Sequence, residues 1–333
     1  MQKYLYIILL SVLALACGSG AKNQALEKKG VLTVTIEPQR YFLDKIVGDA
    51  FAINTLVPPG SSPETYEPAP SVIVDMAKSD IYFMVGDLGF ENAWSKRLAE
   101  NNPNVTIINC SEGIDRMEGH DHDHDHGHTS DQADCDDPAH HHGDDHGHDH
   151  DHAHHGDDHS PGHLNAHSGV DPHVWSSPRA VTAFARNMLK AVVELDPDNE
   201  EKFLDGFEAL LEKVEQTDNQ IRDLLKDAPS KSFIIYHPAL SYFARDYGLN
   251  QLSIEFEGKS PSPAQIKELV DIARKEKINT IFIERGFDTK NAEVIAQEIG
   301  AEVFEINPLR YEWDEELLRI ATILAREKGE YLR

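Results

Sequence analysis

Along most of the chain, short apolar runs rich in β-branched residues alternate with longer stretches whose apolar positions recur every three or four residues. Residues 31–36, 52–57, 81–85 and 105–108 have the nearly continuous apolar character of strands covered on both faces. Residues 41–49, 72–77 and 91–98 between them carry helical spacing, and this alternation predicts a parallel sheet flanked by helices. The second half repeats the pattern, with strands at 232–236, 251–254, 278–283 and 302–306 and helices at 240–247, 263–276, 289–299 and 313–328. Ser262 is placed to cap a helix that has Pro263 at its first position, and Gly300 stands where a helix terminates.

A helical stretch at 178–195 separates the halves and is followed by a second one opening at Pro197. Its apolar residues Phe203, Phe207, Leu210, Val214, Ile221, Leu224 and Leu225 form a single stripe broken by one gap of seven positions. A continuous helix over 198–226 would measure roughly 44 Å at about 1.5 Å per residue, enough to reach from one lobe to another. The expected fold is therefore α/β. Two lobes, 31–177 and 229–333, each hold a parallel sheet flanked by helices, and the helical segment 178–228 joins them through one long helix. A length of 333 residues suits two such lobes. In open α/β sheets ligands sit beyond the carboxyl ends of strands, so the cleft between the lobes is the expected site.

Charge changes the picture in one place. The formal net charge is −27, and 120–167 alone holds 17 of the 19 histidines and 13 aspartates without a lysine, arginine or glutamate. Such a balance repels nucleic-acid phosphate and anionic lipid and favours cations as partners. Low hydrophobicity and high charge leave this tract without a core, so 118–167 is expected to be a disordered loop. Its imidazoles, His120, His122, His124, His126, His128, His140, His141, His142, His146, His148, His150, His152, His154 and His155, are borderline donors suited to weak, multivalent metal capture; the plainer alternative is a solvated spacer. Capture should fade below about pH 6 as these groups protonate.

The three cysteines are too few and too scattered for a disulfide framework or a cysteine-rich zinc site. Cys135 lies inside the tract as an additional donor, and Cys110 ends a strand as a small buried hydrophobe. Residues 4–16 form an apolar run after Lys3, shorter than the roughly 20 residues of a bilayer span but suited to a signal peptide. It ends in Leu13-Ala14-Leu15-Ala16-Cys17, which resembles a bacterial lipobox with Ala14 where leucine is preferred. Residues 1–16 are thus expected to be a signal peptide, Cys17 a lipid anchor and 17–30 a tether, leaving an extracytoplasmic protein that meets the membrane only through its lipid.

Outside the tract only His173 and His237 remain. His173 stands in Asp171-Pro172-His173 just before a helix, and His237 follows a strand directly, where a side chain points into a cleft. A third candidate is Glu64, on a loop stiffened by Pro58, Pro59 and Pro63.

The strings PPGSSPETYEPAPS, DPHVWSSP, YHPALSYFARDYGL, FEGKSPSPAQIKEL, FIERGFD and INPL, in this order, resemble the metal-binding receptor lipoproteins of bacterial zinc and manganese ABC transporters, over essentially all of 31–333. The histidine-rich insertion before DPHVW is typical of the zinc-specific members. The resemblance implies a non-enzymatic solute receptor, expected to be a monomer, that captures Zn2+ between its lobes and delivers it to the permease of an ABC importer. It places metal ligands at His173 and His237. Glu64 stands where relatives usually carry histidine, and Asn307 stands where they often carry the aspartate of a D-P-L string. Glu284 is a further candidate ligand, or else a partner for Arg285, and Glu67 a candidate for balancing charge around the ion.

Two imidazoles and a carboxylate suit zinc, at about 2.0 to 2.2 Å, with water, a second Glu64 oxygen or Asn307 completing the shell. Nitrogen donors favour zinc over Mn2+ or Fe2+, which remain the alternative cargo. Two rivals from other classes are a metallohydrolase, for which no H-E-x-x-H string is present, and an envelope zinc buffer or adhesin working mainly through the tract.

Overall fold

The computed structural model describes residues 28–119, 169–255, 259–287 and 289–326; the signal segment, Cys17, Cys135 and the histidines of the tract lie outside the described residues. Strands β1 (Val31–Val34), β2 (Ala52–Thr55), β3 (Ile81–Met84) and β4 (Thr106–Asn109) form one parallel sheet in the order β2-β1-β3-β4. Helices α1 (Glu37–Val47), α2 (Pro70–Met76) and α3 (Gly89–Asn101) connect them. After α4 (Pro178–Leu195) and α5 (Glu200–Leu225), strands β5 (Ser232–Ile235), β6 (Asn250–Ser253), β7 (Thr280–Glu284) and β8 (Glu302–Ile306) build a second parallel sheet in the same order, β6-β5-β7-β8. Their helices are α6 (Ser241–Tyr247), α7 (Pro263–Glu276), α8 (Lys290–Ile299) and α9 (Trp313–Ala325). Among the described residues no helix is long and apolar enough to cross a membrane.

The strands are shorter than their apolar runs because the runs continue into buried turns at their carboxyl ends, such as Thr35-Ile36 and Leu56-Val57. Helix α1 begins four residues before the position expected from periodicity. Pro38 lies in its first turn, where a missing N–H costs no hydrogen bond, and the Gln39 carboxamide oxygen accepts from the Thr35 and Ile36 amides. Ser262 caps α7 and exchanges side-chain bonds with Gln265, and Gly300 closes α8 in the left-handed conformation.

Alternate strand residues send their side chains to opposite faces. Leu32, Val34, Ile81 and Phe83 from the first sheet, and Phe233, Ile235, Phe282 and Ile306 from the second, all enter one continuous core with α1, α4, α5, α6 and α9. The other faces carry smaller, separate cores, one around Tyr82, Phe90 and Leu98 and one around Ile234, Ile281 and Ile295. Helix α5 packs against α1, α4 and α9 and so touches helices from both halves. Thr217 fills the seven-residue gap in its stripe: it is buried, and its hydroxyl donates back to the Lys213 carbonyl, so the stripe is unbroken in space.

Candidate metal centre

The carboxyl ends of the two sheets face one another across a cavity of about 330 Å³ lined by Glu64, His173, His237, Glu284, Asn307 and the rings of Trp175 and Phe287, among others. Glu64 arrives on the loop after β2, His237 two residues after β5, Glu284 as the last residue of β7 and Asn307 directly after β8. His173 enters from the segment before α4. A single 3-10 turn, Val174–Ser176, follows it, and the Ser177 hydroxyl then caps α4 by accepting from the Ala180 amide at 3.0 Å.

One ligand atom from each of Glu64, His173 and His237 lies within 4.8 Å of the others. The two Nε2 atoms face each other at 3.2 Å. Two nitrogens bound tetrahedrally to one zinc at about 2.0–2.1 Å would stand roughly 3.3 Å apart, so the pair is already spaced as an edge of that tetrahedron.

What aims these nitrogens is a carboxylate behind each ring. His173 Nδ1 lies 2.8 Å from Asp171 Oδ1, which also accepts from the His173 amide at 2.8 Å. His237 Nδ1 lies 3.1 Å from Glu255 Oε2. A ring whose Nδ1–H donates to a carboxylate keeps its Nε2 lone pair free, and the carboxylate makes that nitrogen a better donor to a cation. Burial would lower the His173 pKa, yet the charge and hydrogen bond of Asp171, with Glu64 and Glu255 beyond, hold it above its usual value. The Asp171 carboxyl is correspondingly low, because His173 outweighs the cost of its burial.

Glu64 is held by the start of α3. Its Oε2 accepts from the Gly89 amide at 3.1 Å, at a helix N-terminus that favours negative charge, while Oε1 is buried without a hydrogen-bond partner among the described residues. A methyl group at Gly89 would fall 2.5 Å from the Glu64 carbonyl oxygen and 3.0 Å from Oε2, so only glycine lets the loop lie this close. Buried Glu91 fastens the same turn by accepting from the Val85 and Gly86 amides at 2.7 and 2.6 Å. Burial pushes its pKa up to about 7 despite those bonds.

The remaining sequence candidates fall around this trio. Glu284 is buried, and burial pushes its carboxyl up to about 8, even though Oε2 accepts from the His237 amide at 3.2 Å. Its other oxygen has no partner among the described residues, and Arg285 beside it is exposed. Asn307 lines the cavity and is fixed by its amide, which donates to Glu316 at 2.8 Å. Glu67 is exposed and is not among the residues lining the cavity, whereas the carboxylates of Asp171 and Glu255 stand behind the two imidazoles. Cys110 is fully buried and takes part in no metal cluster among the described residues. Asp171 and Glu255 are candidate site residues that the motifs do not single out. Asp171 sits inside the very string that singles out His173, and Glu255 shares with His237 the signal of a polar residue just beyond a strand's carboxyl end.

Residues 32–319 match the family described as zinc-uptake complex component A, periplasmic. The high-affinity zinc uptake system protein ZnuA of Bacillus subtilis is 29% identical over 305 residues, covering 90% of this chain and 85% of the relative. The manganese ABC transporter substrate-binding lipoprotein PsaA of Streptococcus mitis is 25% identical over 316 residues, covering 90% and 87%. A crystal structure of ZnuA superimposes with a TM-score of 0.73 at 32% identity, over 89% of this chain and 98% of that one.

Proposed function

From a chain that belongs to the family of zinc-uptake complex component A, we propose the reading that Glu64, His173 and His237 are the ligands of its cargo ion. The protein is a zinc receptor of the ABC-importer type. The observation that carries the ligand assignment is the 3.2 Å separation of two imidazole nitrogens, each backed by a carboxylate, with a ligand oxygen of Glu64 in the same cluster of atoms within 4.8 Å. Each histidine supplies a neutral nitrogen, Glu64 supplies one negative charge, and Asp171 and Glu255 offset the rest of the dication's charge without touching it. Asn307 or water completes a tetrahedral shell.

Manganese is the second reading. Glu64 and Glu284 both line the cavity and each has a carboxylate oxygen without a partner among the described residues, and oxygen-rich shells of higher coordination number suit a harder cation. Anomalous diffraction at the zinc and manganese edges, on crystals grown with both metals, tests the two. Zinc alone, bonded to Glu64, His173 and His237, is the expected result. A manganese peak with Glu284 in its shell would favour the second reading, and a metal bonded elsewhere would refute both.

Around this centre the remaining assignments complete a receptor. Residues 1–16 direct export, Cys17 carries lipid, and 17–30 tether a monomer at the outer face of a membrane, where it meets the importer's permease. The tract of 118–167 captures zinc weakly and multivalently near the membrane. Deletion of 118–166 should leave one tightly bound zinc per chain in calorimetry; loss of nearly all binding would instead make the protein a tract-based buffer. The stiff back formed by α5 directs release through loop movements, so small-angle scattering should show little compaction on loading.

A further inference from the structure

We propose that Phe287 is a positioning residue that fixes the plane of the His237 ring and thereby sets how fast the cargo ion leaves; the inference rests on His237 being a ligand. Residues 284–287 form a tight turn closed by the Phe287 amide donating to the Glu284 carbonyl at 3.2 Å, with Gly286 at φ 100° in the position that demands a positive angle. This turn grips His237 twice. The Glu284 carboxylate takes its backbone amide, and the Phe287 ring lies over its imidazole, with centroids 5.7 Å apart and planes only 10° from parallel.

The two ligand histidines need different support. His173 is 6% exposed, has both its ring Nδ1 and its backbone amide bonded to one accepting carboxylate oxygen, and packs against the Trp175 ring with centroids 5.2 Å apart. His237, apart from the Nε2 that faces His173, is held by one ring contact, Nδ1 to Glu255 at 3.1 Å. A single bond to Nδ1 defines a point about which the ring can still tilt, and tilting swings the Nε2 lone pair away from the ion. Phe287 removes that freedom, and is itself seated against the apolar core around Ile234 and Ile281 and against Tyr236 at 5.2 Å. The contact also favours the loaded state over the empty one. An imidazole bound to a dication is more positive than a free one, and a positive group gains from an aromatic face within about 6 Å of it. The turn further approaches the opposite lobe, since a methyl group at Gly286 would lie 3.6 Å from the Gly60 carbonyl oxygen.

The test is zinc release from the full chain into excess chromophoric chelator by stopped flow, with association measured separately. In Phe287→Leu, which keeps apolar bulk but loses the flat ring, release should quicken about two- to tenfold with association unchanged, the span an aromatic pair of this kind converts to. Phe287→Tyr should restore the wild-type rate. Gly286→Ala, which strains the turn and moves the ring without removing it, should also quicken release and keeps the question open to test if the leucine variant does not fold. Release at the wild-type rate in both the leucine and alanine variants would overturn the proposal, as would a leucine effect that tyrosine fails to reverse. His237→Ala separates this from the underlying assignment. Undiminished zinc affinity there would refute His237 as a ligand, whereas lost affinity there with unchanged release in Phe287→Leu would refute only the positioning role.

Discussion

Replacing Asp171 by asparagine keeps the shape of the group behind His173 and removes its charge. Asp171 Oδ1 lies 2.8 Å from the ring nitrogen. Laying that bond, the imidazole ring and a metal bond of about 2.0 Å end to end puts the carboxylate roughly 7 Å from the ion. At an effective dielectric of 20, one negative charge at that distance attracts a dication by about 5 kcal/mol. Part of this is spent in the empty protein, where the same carboxylate already raises the affinity of His173 for a proton that zinc must displace. Carboxylates placed behind ligand histidines typically deliver 10- to 100-fold in affinity, about 1.4–2.7 kcal/mol, and Asp171→Asn should weaken zinc binding by that amount. Competition against a chromophoric chelator at pH 7.5 measures it, with thermal unfolding of the metal-free variant as the control for folding. An affinity within twofold of wild type, in a folded variant, would show that the pairing does not support the metal.

Four other outcomes follow from the same geometry. Acidification should weaken zinc binding from a pH already above 6.5, the ordinary histidine value, because His173 holds its proton more tightly than usual; equilibrium dialysis across pH 5.5–8 reads the onset. The metal-free protein should show the opposite trend, since stabilisation by the raised His173 pKa is complete below 6.5 and lost as pH rises through the folded value, while that of Asp171 needs a pH above about 3.8, so melting temperatures report a gain concentrated between these limits. Glu284→Gln should stabilise the metal-free protein, because a carboxyl raised from 4.5 to about 8 makes folding less favourable as pH climbs; the gain should be roughly 3 kcal/mol at pH 7 and small at pH 5 in denaturant titrations, and equal gains at both would contradict burial as the cause. Gly89→Ala, which in an unencumbered helix would stabilise by up to about 1 kcal/mol, should instead displace Glu64 and lower zinc affinity more than tenfold by calorimetry.

Much of this architecture was legible in the chain because parallel strands buried on both faces write themselves as uninterrupted apolar runs, and all eight were placed within a few residues. Boundaries were less legible where a side chain far along the helix caps its start, as Gln39 does for α1. His173, His237 and Glu64 stood out because each is a donor at a stiff loop or strand end, and the structure brings their ligand atoms within 4.8 Å. Glu255 did not stand out: its significance comes from sitting 18 residues beyond His237 in sequence and 3.1 Å away in space. Phe287 was invisible for a related reason. Apolar periodicity marks a core residue and a ring-stacking partner alike, and only the 10° angle to His237 distinguishes them.

The inner faces of both sheets and the stripe of α5 belong to one continuous core, and this bears on how the molecule comes apart. Cutting the chain near residue 228 would separate Phe203, Phe207, Leu210 and Val214 of α5 from α9, Phe233 and Phe282, which share one core with them. Neither half would keep the whole of that core, so melting should proceed as one cooperative transition rather than two. Binding energy gained at the mouth of the cleft is therefore shared by the entire polypeptide, which makes the midpoint of heat denaturation a whole-molecule gauge of whether cargo is aboard.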